Sequence, residues 1–108
     1  MILSVIIPVY NEEKTILQIL KRVKSQKKFL NIQVIVSNDG STDRTLELLK
    51  KNPRLYDHIV INKKNHGKGM AIKKASKYIK GNIVLIQDAD LEYSPKDYKK
   101  LIQPIKNR

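Results

Sequence analysis

Three acidic side chains alternate with other residues near the end of this 108-residue chain, directly after the apolar run IVLI. Asp88, Asp90 and Glu92 fall within five positions, although the whole chain contains only ten Asp and Glu residues. An extended backbone directs alternate side chains to one side, so the three carboxylates would face the same way. Like charges this close repel by about 1 kcal/mol or more per pair, even when well solvated. A divalent cation bound between them would convert that repulsion into attraction.

The oxygen-only ligands of this trio indicate which cation it would hold. Carboxylates favour Mg²⁺ or Mn²⁺, and the oxygens of a bound diphosphate could complete the coordination shell. The small side chain of Ala89 would allow a ligand to approach the backbone closely. The sequence therefore predicts a Mg²⁺ or Mn²⁺ site formed by Asp88, Asp90 and Glu92. The alternative interpretation is an acidic turn that caps the helix after it.

Polar residues also follow three other apolar runs of the chain. They occupy residues 10–12, 38–41 and 65–69. In an open parallel sheet, ligands bind in the crevice outside the carboxyl ends of the strands. We therefore expect these three groups and the acidic trio to lie on one rim of a sheet and to form one site.

Three residues of the first two groups suit a nucleoside. Tyr10 could stack on a base, Glu12 could accept from a ribose or a base edge, and Asp39 could accept an N–H group from a nucleobase. Each has an ordinary alternative: an exposed aromatic ring, an acid in the first turn of a helix, and an Asp-Gly turn.

The group at residues 65–69 combines glycines with a lysine. Backbone N–H groups near Gly67 and Gly69 could face an anion, with Lys68 close by. The spacing matches neither GxxxxGK[ST] nor GxGxxG, which excludes an ATPase P-loop and a hydride-transfer fingerprint. His66 lacks a second histidine at metal-binding spacing and is interpreted as an ordinary loop residue.

Four β-branched apolar runs predict strands at residues 3–9, 32–37, 58–62 and 83–87. Helical spacing predicts helices at about residues 12–28, 43–51 and 69–80, and a last helix from Pro95 to about Pro104. Asn11 is predicted to cap the first helix, and Tyr78 to lie on the inner stripe of the third. Alternating strands and helices predict an α/β fold with a parallel sheet and right-handed crossovers. Without a repeat or a linker, residues 1–108 are expected to form a single domain.

Composition excludes some classes of function and leaves others open. The absence of cysteine excludes disulfides and cysteine-ligated zinc, and is typical of a reducing compartment. Apolar runs are far shorter than the roughly 18 residues that span a bilayer. The net charge of +12 favours either a solvated lysine-rich surface or attraction to anions, including an acidic membrane face. No nucleic-acid-binding motif is present, so charge alone does not predict a specific nucleic-acid partner.

The four polar groups and their strands together resemble the family 2 glycosyltransferases. The matching strings are VIIPVYNE, VSNDGSTD, NHGKGMAI and VLIQDADLEYSP, which cover nearly the whole chain. They are most similar to the polyprenyl-phosphate branch, which includes the dolichyl-phosphate mannose synthases. The resemblance implies a three-layer, Rossmann-like GT-A fold with a mostly parallel sheet and helices on both faces.

The resemblance also implies roles for individual positions. Contacts to the base and ribose are implied for Pro8, Tyr10, Glu12 and Asp39. Asp88 and Asp90 would form the DxD motif that bridges metal and diphosphate, and Glu92 matches a third metal ligand. The implied reaction transfers a hexose from a UDP- or GDP-sugar to an acceptor, either a lipid phosphate such as polyprenyl phosphate or a glycan. The cation would stabilise charge on the leaving nucleoside diphosphate.

Two departures from the family leave alternatives open. Asn38 stands where the family often has a second aspartate, and family enzymes are about twice as long as this chain. The acceptor site and the catalytic base are therefore expected outside these residues. The chain is expected to be the donor half of an enzyme, a non-catalytic nucleotide-sugar-binding module, or an anion binder that acts through charge. We further expect a partner chain or a homodimer, and a cytoplasmic location at the inner face of the membrane.

Overall fold

The computed structural model describes residues 1–90 and Tyr98. In this part of the chain, four strands alternate with three α-helices. The strands are β1 (Ile2–Val9), β2 (Asn31–Asp39), β3 (His58–Asn62) and β4 (Ile83–Ile86). The helices are α1 (Ile16–Ser25), α2 (Thr45–Lys51) and α3 (Lys68–Ala75), and each runs into or is closely followed by a single 3-10 turn.

The four strands form one parallel sheet in the order β3-β2-β1-β4. The chain moves outward from β1 to β2 and β3, and then returns to place β4 on the other side of β1. The strand order therefore reverses between β1 and β4. In doubly wound sheets, this reversal opens the crevice in which ligands bind.

Helices cover both faces of the sheet. On one face, α1 packs Leu20 and Val23 against β1, and α2 adds Leu49 to the same core. On the other face, Ala75 of α3 packs against Ile6 and Ile35. This arrangement confirms the predicted three-layer, Rossmann-like α/β fold.

Small side chains bring α3 close to the sheet. Ala71 and Ala75 lie one helical turn apart and are fully buried. The Ser37 hydroxyl of β2 donates to the carbonyl oxygen of Ala71 at 2.8 Å. This contact fixes the first turn of α3, which begins at Lys68, beside the carboxyl ends of the strands.

Helix α1 begins at Ile16, four residues later than predicted, because residues 12–15 form a turn. The N–H groups of Thr15 and Ile16 both donate to the carbonyl oxygen of Glu12, at 3.1 and 2.9 Å. The prediction that Asn11 caps this helix is wrong. Asn11 adopts a φ of 52° and bonds the loop after β2, and Thr15 takes the N-cap position.

The predicted inner position of Tyr78 is also wrong. Helix α3 ends at Ala75, and a 3-10 turn over Ser76–Tyr78 rotates the next side chains away from the helical stripe. The Tyr78 side chain is 41% exposed, and its ring stacks on His58 of β3 with centroids 3.7 Å apart.

The predicted last helix lies outside the described residues except for Tyr98. Tyr98 is helical and buried, and its hydroxyl donates to Oε1 of Gln87 at 2.6 Å. Burial raises the pKa of Tyr98 well above its usual value, which keeps this donor protonated. None of the described helices is long and apolar enough to cross a bilayer.

Candidate functional site

A cleft of about 480 Å³ opens at the carboxyl ends of the strands, on both sides of the end of β1. The structure brings together every described residue that the sequence predicted for nucleotide-sugar binding: Pro8, Tyr10, Glu12, Asp39, Lys68, Asp88, Ala89 and Asp90. Glu92, the predicted third metal ligand, lies outside the described residues. The four separated loops thus meet on one rim.

Pro8 lies where β1 loses its neighbour on the β4 side. The β1–β4 pairing ends at Ile6 and Ile86, and the N–H group of Gln87 donates to the Ile6 carbonyl oxygen at 2.9 Å. Residues two apart in a strand direct their polar groups to the same neighbour, so the N–H that proline lacks would face the cleft. Proline therefore costs no ladder hydrogen bond here, and the strands separate to form the floor of the cleft.

Asp39 is the last residue of β2 rather than part of a turn beyond it, and it is only 3% exposed. Its Oδ1 accepts from the His66 N–H at 3.0 Å, and its Oδ2 accepts from the Gly67 N–H at 2.8 Å. The carboxylate thus fixes the loop before α3 against the sheet. Each oxygen retains further acceptor capacity, so Asp39 can hold this loop and still accept from a ligand.

Two glycines shape the loops after β2 and β3, and Gly40 also allows these loops to approach closely. Gly40 and Gly67 have φ angles of 72° and 98°, which side chains strongly disfavour. A Cβ atom on Gly40 would lie 2.5 Å from the backbone nitrogen of Asn65 and from the carbonyl carbon of Lys64. Asn65 also lines the cleft, a role that was not predicted from the sequence.

Lys68 and Asp88 form a salt bridge across the cleft, with Nζ 2.5 Å from Oδ1. Lys68 is the first residue of α3, and Asp88 follows β4. The lysine charge offsets part of the repulsion between Asp88 and Asp90, which line the same cleft. Since 57% of the lysine side chain is exposed, this pair can exchange partners at low energetic cost.

The donor set of the cleft fits Mg²⁺ or Mn²⁺. Asp88 and Asp90 supply the carboxylate oxygens that these cations prefer, on either side of a residue as small as Ala89. Among the described residues, no three His, Cys, Asp or Glu side chains are grouped to hold an ion. Mg²⁺ commonly uses one or two carboxylates together with phosphate oxygens and water. The oxygens of a bound diphosphate could then complete the coordination shell.

Asn11 joins the loop after β1 to the loop after β2. Its Oδ1 accepts from the N–H groups of Thr42 and Asp43, at 2.7 and 3.3 Å, and its own N–H donates to Oγ of Ser41 at 3.0 Å. This role was missed because asparagine after a strand suggests a helix cap equally well. The signal was its residue type, since asparagine tolerates the left-handed conformation that Asn11 adopts.

Asp43 strengthens the same junction. Its Oδ1 accepts from the Thr45 N–H at 2.9 Å, and its Oδ2 accepts from the Glu13 N–H at 3.3 Å. Burial raises the pKa of Asp43, but the hydrogen bonds from Thr45 and Glu13 outweigh that effect and hold the pKa below its usual value. The ionised carboxylate therefore stabilises the junction between the turn that carries Glu12 and the loop that follows Asp39.

Thr15 was also missed by the sequence analysis. Its hydroxyl oxygen lies 2.5 Å from the carbonyl oxygen of Ala89 and 3.2 Å from Oε2 of Glu12. It thus connects the turn after β4 with the loop after β1.

Comparisons with known proteins agree with this arrangement. Residues 4–108 match the family model for glycosyl transferase family 2. The dolichol-phosphate mannosyltransferase of Pyrococcus furiosus is 35% identical over 105 residues, which are 96% of this chain and 30% of that protein. This chain therefore spans about a third of the length of that relative.

Two solved structures share the fold. TarS 1–349 of S. aureus, in complex with UDP-GlcNAc, superposes with a TM-score of 0.81 at 30% identity, covering 99% of this chain and 32% of that one. The mannosyltransferase PcManGT of Pyrobaculum calidifontis, in complex with GDP-Man and Mn²⁺, superposes with a TM-score of 0.71 at 30% identity, covering 82% and 27%. Family model, relatives and fold agree, and the chain belongs to glycosyl transferase family 2.

Proposed function

We propose that the cleft at the carboxyl ends of the strands binds a UDP- or GDP-sugar together with Mg²⁺ or Mn²⁺, as the donor half of a hexosyltransferase. One observation carries this proposal. Acids from the ends of β1, β2 and β4 line a single cleft in a strongly basic chain, and Lys68 bridges to one of them. A cation with a diphosphate is the ligand that such a mixture of charges accommodates best.

The two sides of the cleft would bind different parts of the ligand. On the β1 side, the exposed ring of Tyr10 would stack on the base, and Glu12 and Asp39 would accept from base or ribose. On the β4 side, Asp88 and Asp90 would hold the cation. The proposal places the sugar near Ala89, between the two aspartates, where a small side chain leaves room.

Sugar transfer breaks the bond between the sugar and the diphosphate, so negative charge grows on the leaving group. When bound, the cation supplies Lewis-acid stabilisation of that charge. Lys68 would leave Asp88 for the diphosphate and add a second positive charge, already positioned at the start of α3. Once the donor has bound and Lys68 has changed partner, these charges would act without further reorganisation during the transfer step.

We also propose a class of acceptor. A similar protein is named a dolichol-phosphate mannosyltransferase, and this name supports a polyprenyl phosphate as the acceptor. We place the acceptor site and the catalytic base outside the donor domain of residues 1–108, in a region that the relatives' greater length provides. The surplus of lysine would favour an acidic membrane surface at the cytoplasmic face.

Calorimetry with UDP and GDP, each with and without Mn²⁺, tests the donor site. We expect one nucleotide to bind with an affinity that Mn²⁺ raises at least about tenfold, because the cation completes its shell with phosphate oxygens. Binding unaffected by Mn²⁺ but falling steeply with salt would instead show the charge-driven anion binder. Binding without transfer of the matching sugar to polyprenyl phosphate, even with the complete protein, would favour the non-catalytic module.

A further inference from the structure

Thr15 lies between the turn after β1 and the turn after β4, both of which carry residues of the cleft. Its Oγ1 lies 2.5 Å from the carbonyl oxygen of Ala89, across 74 residues of sequence, and 3.2 Å from Oε2 of Glu12. Ala89 separates Asp88 from Asp90 after β4, and Glu12 lines the same cleft from the turn after β1. Thr15 itself does not line the cleft, so any effect it has on a ligand must pass through these two neighbours.

The contact between the Thr15 hydroxyl and Ala89 is unusual for a residue at this position in the fold. Thr15 is the N-cap residue of α1, where threonine normally accepts from an N–H group of the first helical turn. Within the described part of the chain, its side chain makes no such capping bond. The hydroxyl is directed away from the helix that it would stabilise and toward the turn after β4, so helix capping does not explain this side chain.

The two distances indicate how the hydroxyl is used. A hydroxyl group carries one hydrogen, and both neighbouring oxygens are acceptors. The shorter distance assigns that hydrogen to the Ala89 carbonyl group. The Glu12 carboxylate then keeps its acceptor capacity for a ligand.

We propose that Thr15 is a positioning residue that couples the cation side of the cleft to the nucleoside side. Its bond to the Ala89 carbonyl oxygen orients the peptide that joins Ala89 to Asp90, and thereby the direction in which the Asp90 carboxylate projects. Its N–H group donates to the Glu12 carbonyl oxygen at 3.1 Å, so Thr15 also holds the turn that carries Glu12. This inference rests on the proposed function, because it concerns how one site binds cation and nucleotide together.

Three variants test the coupling by calorimetry with UDP and GDP, each with and without Mn²⁺. Thr15→Val keeps the shape and removes the hydroxyl, Thr15→Ser keeps the hydroxyl, and Ser25→Ala removes a hydroxyl that bonds Arg22 at the far end of α1. We expect Thr15→Val to reduce the Mn²⁺-dependent gain in nucleotide affinity about five- to tenfold, the effect of one good hydrogen bond. Thr15→Ser and Ser25→Ala should both retain the gain.

A purely structural role would lower the melting temperature of Thr15→Val and leave the Mn²⁺-dependent gain as in the wild type, which would overturn the inference. The carbonyl ¹³C resonance of Ala89 gives a second readout without ligand. It should move upfield in Thr15→Val, as expected when a hydrogen bond is lost, and return in Thr15→Ser. If the wild type binds neither nucleotide, the proposed function fails, and this resonance still tests whether Thr15 orients the Ala89 carbonyl group. An unchanged resonance in Thr15→Val would then overturn that role.

Discussion

The sheet has a cleft at each end, and the two clefts are alike in size. The cleft at the carboxyl ends of the strands measures about 480 Å³, and the one at the amino ends about 510 Å³. Both are lined by polar side chains and by lysine. Volume and overall polarity therefore do not distinguish a ligand site from a structural surface in this molecule.

Polar side chains of the amino-end cleft form hydrogen bonds with other parts of the fold. Oε1 of Gln33 accepts from the Ser4 hydroxyl at 2.6 Å and from the Lys80 N–H at 2.9 Å, and its Nε2 donates to the Tyr78 carbonyl oxygen at 2.7 Å. Asp57 accepts from the Val34 N–H at 2.7 Å. These side chains join strands to the turns between them, and that structural role accounts for their presence.

The two clefts differ more clearly in their number of acidic residues. Among the lining residues, the carboxyl-end cleft holds Glu12, Asp39, Asp88 and Asp90, whereas the amino-end cleft holds Asp57. Of the four, Asp39 is engaged by backbone N–H groups much as Asp57 is. The concentration of like charge, above all Asp88 beside Asp90, therefore distinguishes the carboxyl-end cleft from the amino-end cleft.

Replacing Asp90 should have the largest effect on nucleotide affinity, whereas replacing the acid of the amino-end cleft should have little effect. Loss of an outer-shell partner of a metal commonly costs about 10–100-fold in affinity, so loss of a direct ligand in Asp90→Asn should cost at least about 100-fold in Mn²⁺-dependent nucleotide affinity. Calorimetry provides the measurement, and Asp57→Asn at the amino end is the matched control. Equal losses in both variants would remove the distinction between the clefts.

Substitutions at two glycines distinguish an effect on stability from an effect on nucleotide binding. A Cβ atom on Gly40 would contact the backbone near Asn65, and one on Gly81 would lie 2.6 Å from the Ile2 carbonyl oxygen at the other end of the sheet. Gly40→Ala and Gly81→Ala should each destabilise the fold by about 1–3 kcal/mol in urea unfolding. Nucleotide affinity should fall in Gly40→Ala alone. A comparable fall in Gly81→Ala would mean that global stability governs binding.

Lys68→Met should have a smaller effect, with opposite signs for the two ligands. Without the lysine, Asp88 loses the positive charge that competes with a cation, so the affinity for free Mn²⁺ should rise by up to about fivefold. The affinity for UDP or GDP should fall because the diphosphate loses a cationic partner. Mn²⁺ electron paramagnetic resonance and calorimetry measure the two effects, with Lys77→Met in the amino-end cleft as the control. A fall in both affinities would contradict the exchange of partners.

Acid should weaken the carboxyl-end loops through Asp43, and this effect should be the smallest. Because hydrogen bonds hold the pKa of Asp43 below its ordinary value of 3.8, ionised Asp43 stabilises the folded chain above that pH. This contribution disappears as the pH falls below 3.8 through the folded-state pKa. Urea unfolding should show wild type more stable than Asp43→Asn near neutral pH and a shrinking difference in acid. A difference that is constant with pH would exclude this ionisation as its source.

Much of the fold followed from local patterns in the sequence. Strand β3 lies where predicted, because three consecutive β-branched residues, Ile59, Val60 and Ile61, between polar residues have few alternatives. The position of the cleft followed from topology, since parallel strands bring their carboxyl ends to one edge.

Long-range contacts account for what the sequence did not predict. Asn11 and Thr15 both suit a helix terminus, and their actual partners lie 31 and 74 residues away. Tyr78 fits a helical stripe, but the change to a 3-10 turn and the stacking on His58 depend on β3. Partners so distant in sequence leave no local pattern, so only the folded structure identifies them.

The central claim is that cation and diphosphate meet at the carboxyl end of the sheet. A crystal grown with Mn²⁺ and UDP or GDP tests it directly through the anomalous signal of manganese. We predict a peak within coordination distance of Asp88 and Asp90, with the diphosphate on the same ion and the base beside Tyr10. Nucleotide density in the amino-end cleft beside Asp57, or manganese bound away from both aspartates, would contradict the account.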